Sequence, residues 1–189
     1  MPAEIEIAVL IGSLRSNSSS GRLARAIEKL APTHMSMREV PIGDLPLYNH
    51  DKDGDHAPAA YKPFREALAA ADGVLFVTPE YNRSTPGCLK NAIDVASRPH
   101  GEGVLIGKPA AIVSQSPGSL GGFGANHAIR QSLVFLNSPV LQQPEAYVAN
   151  IGSAFDERGS LISAALSDLL GNFVHAFAEL IARSQFQVA

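Results

Sequence analysis

The chain has a single cysteine, Cys88, and no tryptophan. One thiol excludes an intramolecular disulfide, and without clustered histidines it gives no metal signature, so burial on a helix is its expected role. No basic block interrupts the sequence: 15 basic and 18 acidic residues are mixed along it, for a formal charge of -3. That distribution argues against a nucleic-acid surface. No uninterrupted apolar stretch approaches the roughly 18 residues that a membrane span needs, and the start M-P-A-E-I-E-I-A-V-L-I-G has no basic segment ahead of its short apolar run. A membrane is therefore not an expected partner, and a cytoplasmic location is expected. Repeats of fixed period are missing, and no low-complexity tract is longer than the serine run at 18–20. At 189 residues the chain fits one domain, 1–189, that buries its core without staples.

What is present is a recurring unit of strand, polar loop and helix. In G-V-L-F-V-T-P-E-Y-N-R-S-T-P-G-C-L-K-N-A-I-D (73–94), the run 74–77 has the length and β-branched content of a strand buried on both faces. Pro79 cannot donate to a ladder, so 79–85 is expected to be a loop leaving the strand's carboxyl end. Pro86 suits a first helical turn, and Leu89, Ala92, Ile93 and Ala96 follow at helical spacing. Glu80, Tyr81 and Asn82 in the loop supply an acceptor, a flat aromatic face and an amide, a set suited to a planar polar ligand. An ordinary turn with a surface tyrosine competes with that reading.

The run 5–11, broken only by Glu6, reads as a central parallel strand ended by Gly12. After S-L-R-S-N-S-S-S-G, Leu23, Ala24, Ala26, Ile27 and Leu30 share a helical face. The loop holds hydroxyls at Ser13, Ser16, Ser18, Ser19 and Ser20, an amide at Asn17 and a guanidinium at Arg15. It stands where an incoming helix points its free N–H groups, which equips it for a phosphate. Neither the Walker spacing nor G-x-G-x-x-G is there. Helix capping alone would explain the serines, but not Arg15 among them.

A second strand is expected over 35–42 and a long Asp-, Gly- and Pro-rich loop over 43–58. Its Asp51, Asp53 and Asp55 fail the EF-hand register, so no calcium site is expected. A helix at 61–71 returns the chain to strand 74–77. Another strand at 108–114 exits into S-Q-S-P-G-S-L-G-G-F-G, followed by a helix over 125–136, a last strand over 140–148, an acidic turn near Asp156 and a helix over 161–183. Five strands thus alternate with five helices, and three strand exits carry ligand-type loops.

G-S-L-R-S-N-S-S-S-G, L-P-L-Y-N-H-D and T-P-E-Y-N-R-S-T-P-G-C-L-K-N-A-I-D-V-A-S-R-P together resemble the NAD(P)H-dependent FMN reductase family, which includes bacterial quinone and chromate reductases. The resemblance implies an α/β flavodoxin-like αβα sandwich of three layers, with a five-stranded parallel sheet in the order 2-1-3-4-5 and FMN across the carboxyl ends of strands 1, 3 and 4. It assigns Ser13, Arg15, Ser18 and Ser20 to the phosphate, places Pro79, Glu80, Tyr81 and Asn82 along the isoalloxazine, and has Gln115, Ser116 and Gly118 close the other side. Redox chemistry would take place at flavin N5, with no catalytic side chain. NADPH or NADH would donate and quinones, azo compounds, chromate or flavin would accept, by ping-pong turnover over one open face. The resemblance also implies a homodimer or homotetramer, with His127, Arg130, Glu145 and the helix after Pro86 as candidate contacts. A flavodoxin-type single-electron carrier is the alternative, disfavoured by the mild acidity and the absence of tryptophan; nothing favours a non-catalytic flavin sensor.

Overall fold

The computed structural model describes residues 3–54 and 56–186, so Asp55 of the acidic loop lies outside the described residues. Its elements run β1 (Ile5–Ile11), α1 (Ser19–Leu30), β2 (Met35–Glu39), α2 (Tyr61–Ala70), β3 (Gly73–Pro79), α3 (Gly87–Ala96), β4 (Ala110–Gln115), α4 (Phe123–Phe135), β5 (Ala146–Val148) and α5 (Ala164–Phe186). Strands apolar at nearly every position need cover on both faces, and parallel pairing supplies it by placing crossover helices there. In β1 only Glu6 is exposed, and β3 and β4 are buried nearly throughout. All pairs are parallel and the order is β2-β1-β3-β4-β5, as the resemblance implies.

Each sheet face has its own core. On one, Leu23 and Ile27 of α1 meet Leu170, Phe173, Phe177 and Ile181 of α5. On the other, Phe64 and Leu68 of α2 pack with Leu89 and Ile93 of α3 and Ile129 and Leu133 of α4. Phe173 and Phe177 are almost fully buried, each contributing roughly 1.5–3 kcal/mol of apolar transfer. By length and composition α5 is the one described helix apolar enough to cross a membrane. Asp168, His175 and Glu179 interrupt the run in sequence, and the apolar side they leave is spent on the sheet.

Several boundaries differ from the sequence expectation, each for a local reason. Sheet β2 stops at Glu39 rather than 42: Val40 still donates to the Val9 carbonyl at 3.0 Å, but Pro41 has no N–H to continue. The last strand is only Ala146–Val148, with Val140 reduced to an isolated bridge to Ala110 and Pro144 in between. Pro79 is not the start of the loop. As the last residue of β3 it pairs with Gln115, which needs no donor from a strand end. Helix α5 begins at Ala164 because Leu161 is held in a bridge to Phe155.

Candidate functional site

From β1 the chain moves outward to β2 and then crosses back to β3, so the carboxyl ends of β1 and β3 flank a reversal of strand order. Open α/β sheets bind ligands at such a reversal. The loops after β1, β3 and β4 gather there. Gly12 lets the first loop leave close to β3: its N–H donates to the Val77 carbonyl at 2.9 Å, and a Cβ would stand 2.7 Å from Thr78 Oγ1.

Ser13, Arg15, Ser16 and Ser18 line a cavity of about 270 Å³ together with Gly21, Arg25 and the segment 39–43. Among the described residues, the side chains of Ser13, Arg15, Ser16, Asn17 and Ser19 make no hydrogen bond or ion pair. Ser18 caps α1, its Oγ accepting from the Gly21 N–H at 2.9 Å, and the first turn of that helix has no acidic residue. Open hydroxyls, a free guanidinium and a helix N-terminus on one cavity fit a phosphate monoester.

Ser20 stands apart from the other three phosphate candidates. It is fully buried, and its Oγ accepts from Gln115 Nε2 at 3.0 Å. Two residues expected to touch the cofactor are thus side-chain partners of each other, 95 positions apart. They pin the end of β4 to α1. Ser116 Oγ accepts from the Gly118 N–H at 3.0 Å, a local turn that leaves Pro117 and Gly118 exposed.

The loop after β3 is a two-residue turn. The Tyr81 and Ser84 N–H groups each donate to the other's carbonyl at 3.0 Å, and Asn82 and Arg83 have φ of 51° and 63°. Positive φ at both central positions is the type I′ pattern, which asparagine tolerates and arginine does not favour. Strain of this kind persists where its surroundings enforce it. Here Gly124 is pressed against the turn: a Cβ would lie 2.5 Å from the Arg83 carbonyl oxygen and 2.9 Å from Glu80 Oε2. Glu80 Oε2 accepts from the Ala125 N–H at 3.2 Å and Oε1 from Arg83 Nη1 at 3.3 Å. The carboxylate therefore caps the N-terminus of α4, a position that the helix dipole favours for an anion. Tyr81 is left 53% exposed, and no hydrogen bond engages its hydroxyl or the Asn82 amide among the described residues.

Sequence reasoning missed the supports behind these loops. Asn126 is fully buried and donates to the Ile112 carbonyl and Ser114 Oγ, while Ser114 Oγ donates to the Gly121 carbonyl. Arg130, half-buried, donates to Asn126 Oδ1 at 2.9 Å and the Leu141 carbonyl at 3.1 Å. Beside it Tyr147 donates to Glu145 at 2.7 Å and meets His127 Nε2 at 3.0 Å, with half-exposed Phe123 against the His127 ring at 4.1 Å. Burial first, then Glu145, pushes the Tyr147 hydroxyl up to about 12. In the long loop, Arg65 grips Asp53 at 2.8 and 2.9 Å, and its hydrogen bonds hold that carboxyl below the usual range. Asn91 fixes the loop by accepting from the Tyr48 N–H and donating to the Leu45 and Pro46 carbonyls. Burial pushes the Cys88 thiol up, the opposite of an activated nucleophile.

Residues 5–152 match the family described as NADPH-dependent FMN reductase. The chain belongs to that family. Its members are flavoenzymes that use FMN with NAD(P)H, and the chain is an oxidoreductase of this kind. It is similar to a quinone reductase of Pseudomonas putida, 53% identical over 93% of this chain and 92% of that one. A quinone reductase of Escherichia coli K12 is 40% identical over 97% of this chain and 98% of its own. Among solved structures, the flavoenzyme NAD(P)H:(acceptor) oxidoreductase FerB of Paracoccus denitrificans superposes with a TM-score of 0.88 at 37% identity, covering 95% of this chain and 98% of that one.

Proposed function

We infer that this FMN reductase passes the electrons of NADPH or NADH to quinones, as the relatives named quinone reductase do. The observation that carries the assignment of the cradle is the set of unpartnered polar side chains in the loop after β1, at the carboxyl end of a central strand. Ser13, Arg15 and Ser18 hold the FMN phosphate, with backbone N–H groups of the first turn of α1. Pro79, Glu80, Tyr81 and Asn82 border the ring on one side and Gln115, Ser116 and Gly118 on the other. Bound FMN would supply the redox chemistry of hydride uptake from a nicotinamide and two-electron delivery to an acceptor.

The side chains work by placing and walling rather than by proton transfer. Glu80 is committed to α4 and holds the turn in shape. Tyr81 presents a flat exposed face over which planar donors and acceptors take turns, which suits ping-pong turnover and a range of acceptors including azo compounds, chromate and free flavin. Two-electron delivery to small molecules fits the family better than single-electron traffic to a protein partner. The protein works in the cytoplasm as a homodimer or homotetramer. Exposed Phe123, Val134 and Phe135 on α4 supply an apolar contact beside His127 and Glu145.

Steady-state oxidation of NADPH and NADH with benzoquinone, set against a one-electron protein acceptor, tests the assignment. Rapid quinone-dependent oxidation is expected. Turnover with the protein acceptor alone would move the chain to the carrier class, and light scattering reads the oligomer.

A further inference from the structure

A cavity of about 490 Å³ lies apart from the flavin cradle. It lies on the outer side of α1, between that helix and the turn at 157–161. Arg22, Arg25, Lys29 and Arg158 line it, with Glu157 as the one acid. The chain is acidic overall, with 15 basic residues, yet four of them surround one cavity. Among the described residues none of the four has a carboxylate within ion-pair distance; the ion pairs of the chain lie elsewhere. Arg22 sits over the Phe155 ring at 5.8 Å, and its Nε is buried without an acceptor.

Four cations around one carboxylate leave a net positive cavity in which like charges repel, and burying a guanidinium N–H without an acceptor is unfavourable. A bound anion relieves both. Arginine forks match phosphate oxygens, and Ala26, Leu30 and Leu161 give the cavity an apolar wall as well. The placement narrows the ligand further. Arg25 lines both this cavity and the phosphate-loop cavity, and Asn17 belongs to the phosphate loop itself. The two sites therefore adjoin around the first half of α1.

We propose that this cavity binds the phosphate-bearing adenosine end of the reducing dinucleotide, with Arg22, Arg25, Lys29 and Arg158 taking the 2′-phosphate that distinguishes NADPH from NADH. The proposal rests on the donor assigned above, and it gives that donor a second anchor separate from the flavin. The 2′-phosphate is a strong multivalent acceptor, and three of the four cations are free to close on it, since Arg25, Lys29 and Arg158 are exposed.

The test is calorimetric titration of the purified protein with adenosine 2′,5′-bisphosphate, 5′-AMP and inorganic phosphate, in wild type, Lys29→Gln and Arg158→Gln. Both positions are exposed, and a thermal melt confirms that each variant folds. The bisphosphate is expected to bind saturably, at least about tenfold tighter than 5′-AMP or inorganic phosphate, and to weaken about tenfold or more in each variant, the scale of one charged hydrogen bond lost. No binding, equal binding of 5′-AMP or of inorganic phosphate, or binding unchanged in both variants overturns the proposal. Bleaching of the bound flavin by NADPH is followed in parallel. Flavin reduction without bisphosphate binding sinks the site alone; if the protein takes up no flavin, the donor assignment falls, and the titration still decides the cavity.

Discussion

The loops after β1 and β3 look alike in sequence, since each is a short polar stretch between an apolar run and a helix, but they spend their polar atoms differently. In the first, Ser13, Arg15 and Ser16 make no side-chain bond within the described protein and face a cavity. In the second, Glu80 is bonded to Ala125 and Arg83, and the backbone of the turn is closed on itself. A polar group left open at a strand end is available to a ligand, which can take the place of water there. A polar group already satisfied is scaffolding, and its loss is felt as shape and stability.

That contrast is breakable. The largest effect is expected from Gly124→Val, which drives a side chain into the Arg83 carbonyl and destabilises the fold by about 2–3 kcal/mol. A thermal melt of the FMN-free protein reads it. Next comes Arg15→Ala, which removes an open cation: FMN affinity should fall about ten- to a hundredfold, the scale of a charged hydrogen bond, while the flavin-free melting temperature stays put. Flavin fluorescence titration measures the first and the melt the second, and a large loss of stability would contradict the idea that Arg15 is unspent.

Asp53 extends the contrast to the long loop, being a carboxylate fully engaged by Arg65. Asp53→Asn should lower stability at pH 7 by about 1–3 kcal/mol, between an exposed pair and a fully buried one. Because Arg65 lowers the folded-state pKa of Asp53, its contribution is complete above the ordinary carboxylate value of about 3.9 and fades as the pH falls below it. Denaturant melts at pH 7 and pH 3 should therefore show the gap between the two proteins narrowing in acid. Glu80→Ala should cost about 1 kcal/mol through the uncapped helix and leave the rate of flavin reduction within a few-fold in stopped-flow traces. Tyr81→Phe should do least, since no partner holds its hydroxyl. If it abolishes flavin reduction with FMN still bound, the tyrosine is more than a wall.

Sequence periodicity was enough to locate all five strands and the loops that follow β1, β3 and β4, while the sheet order came from the resemblance. What it left out is long-range. Nothing local marks Ser20 as the partner of Gln115, 95 residues on, or Glu80 as the cap of a helix that begins at Phe123. The glycines at 121, 122 and 124 hint at crowding, yet only the fold reveals that Gly121 meets the Tyr147 backbone while Gly124 meets the β3 turn. The basic cavity was illegible for the same reason: Arg22, Arg25 and Lys29 are spaced along one helix, but Arg158 comes from a turn far along the chain. Element ends failed where proline or a stray bridge overrode the hydrophobic pattern, at Pro41, Pro144 and Leu161.

The central claim is that these open groups hold FMN and that NAD(P)H reduces it. The most direct measurement is the visible spectrum of the purified protein, reconstituted with FMN if it is colourless, before and after anaerobic addition of NADPH or NADH and then of a quinone. A flavin spectrum that bleaches with the donor and returns with the quinone is predicted. Failure to take up FMN, or a bound flavin that stays yellow with both donors, contradicts the account.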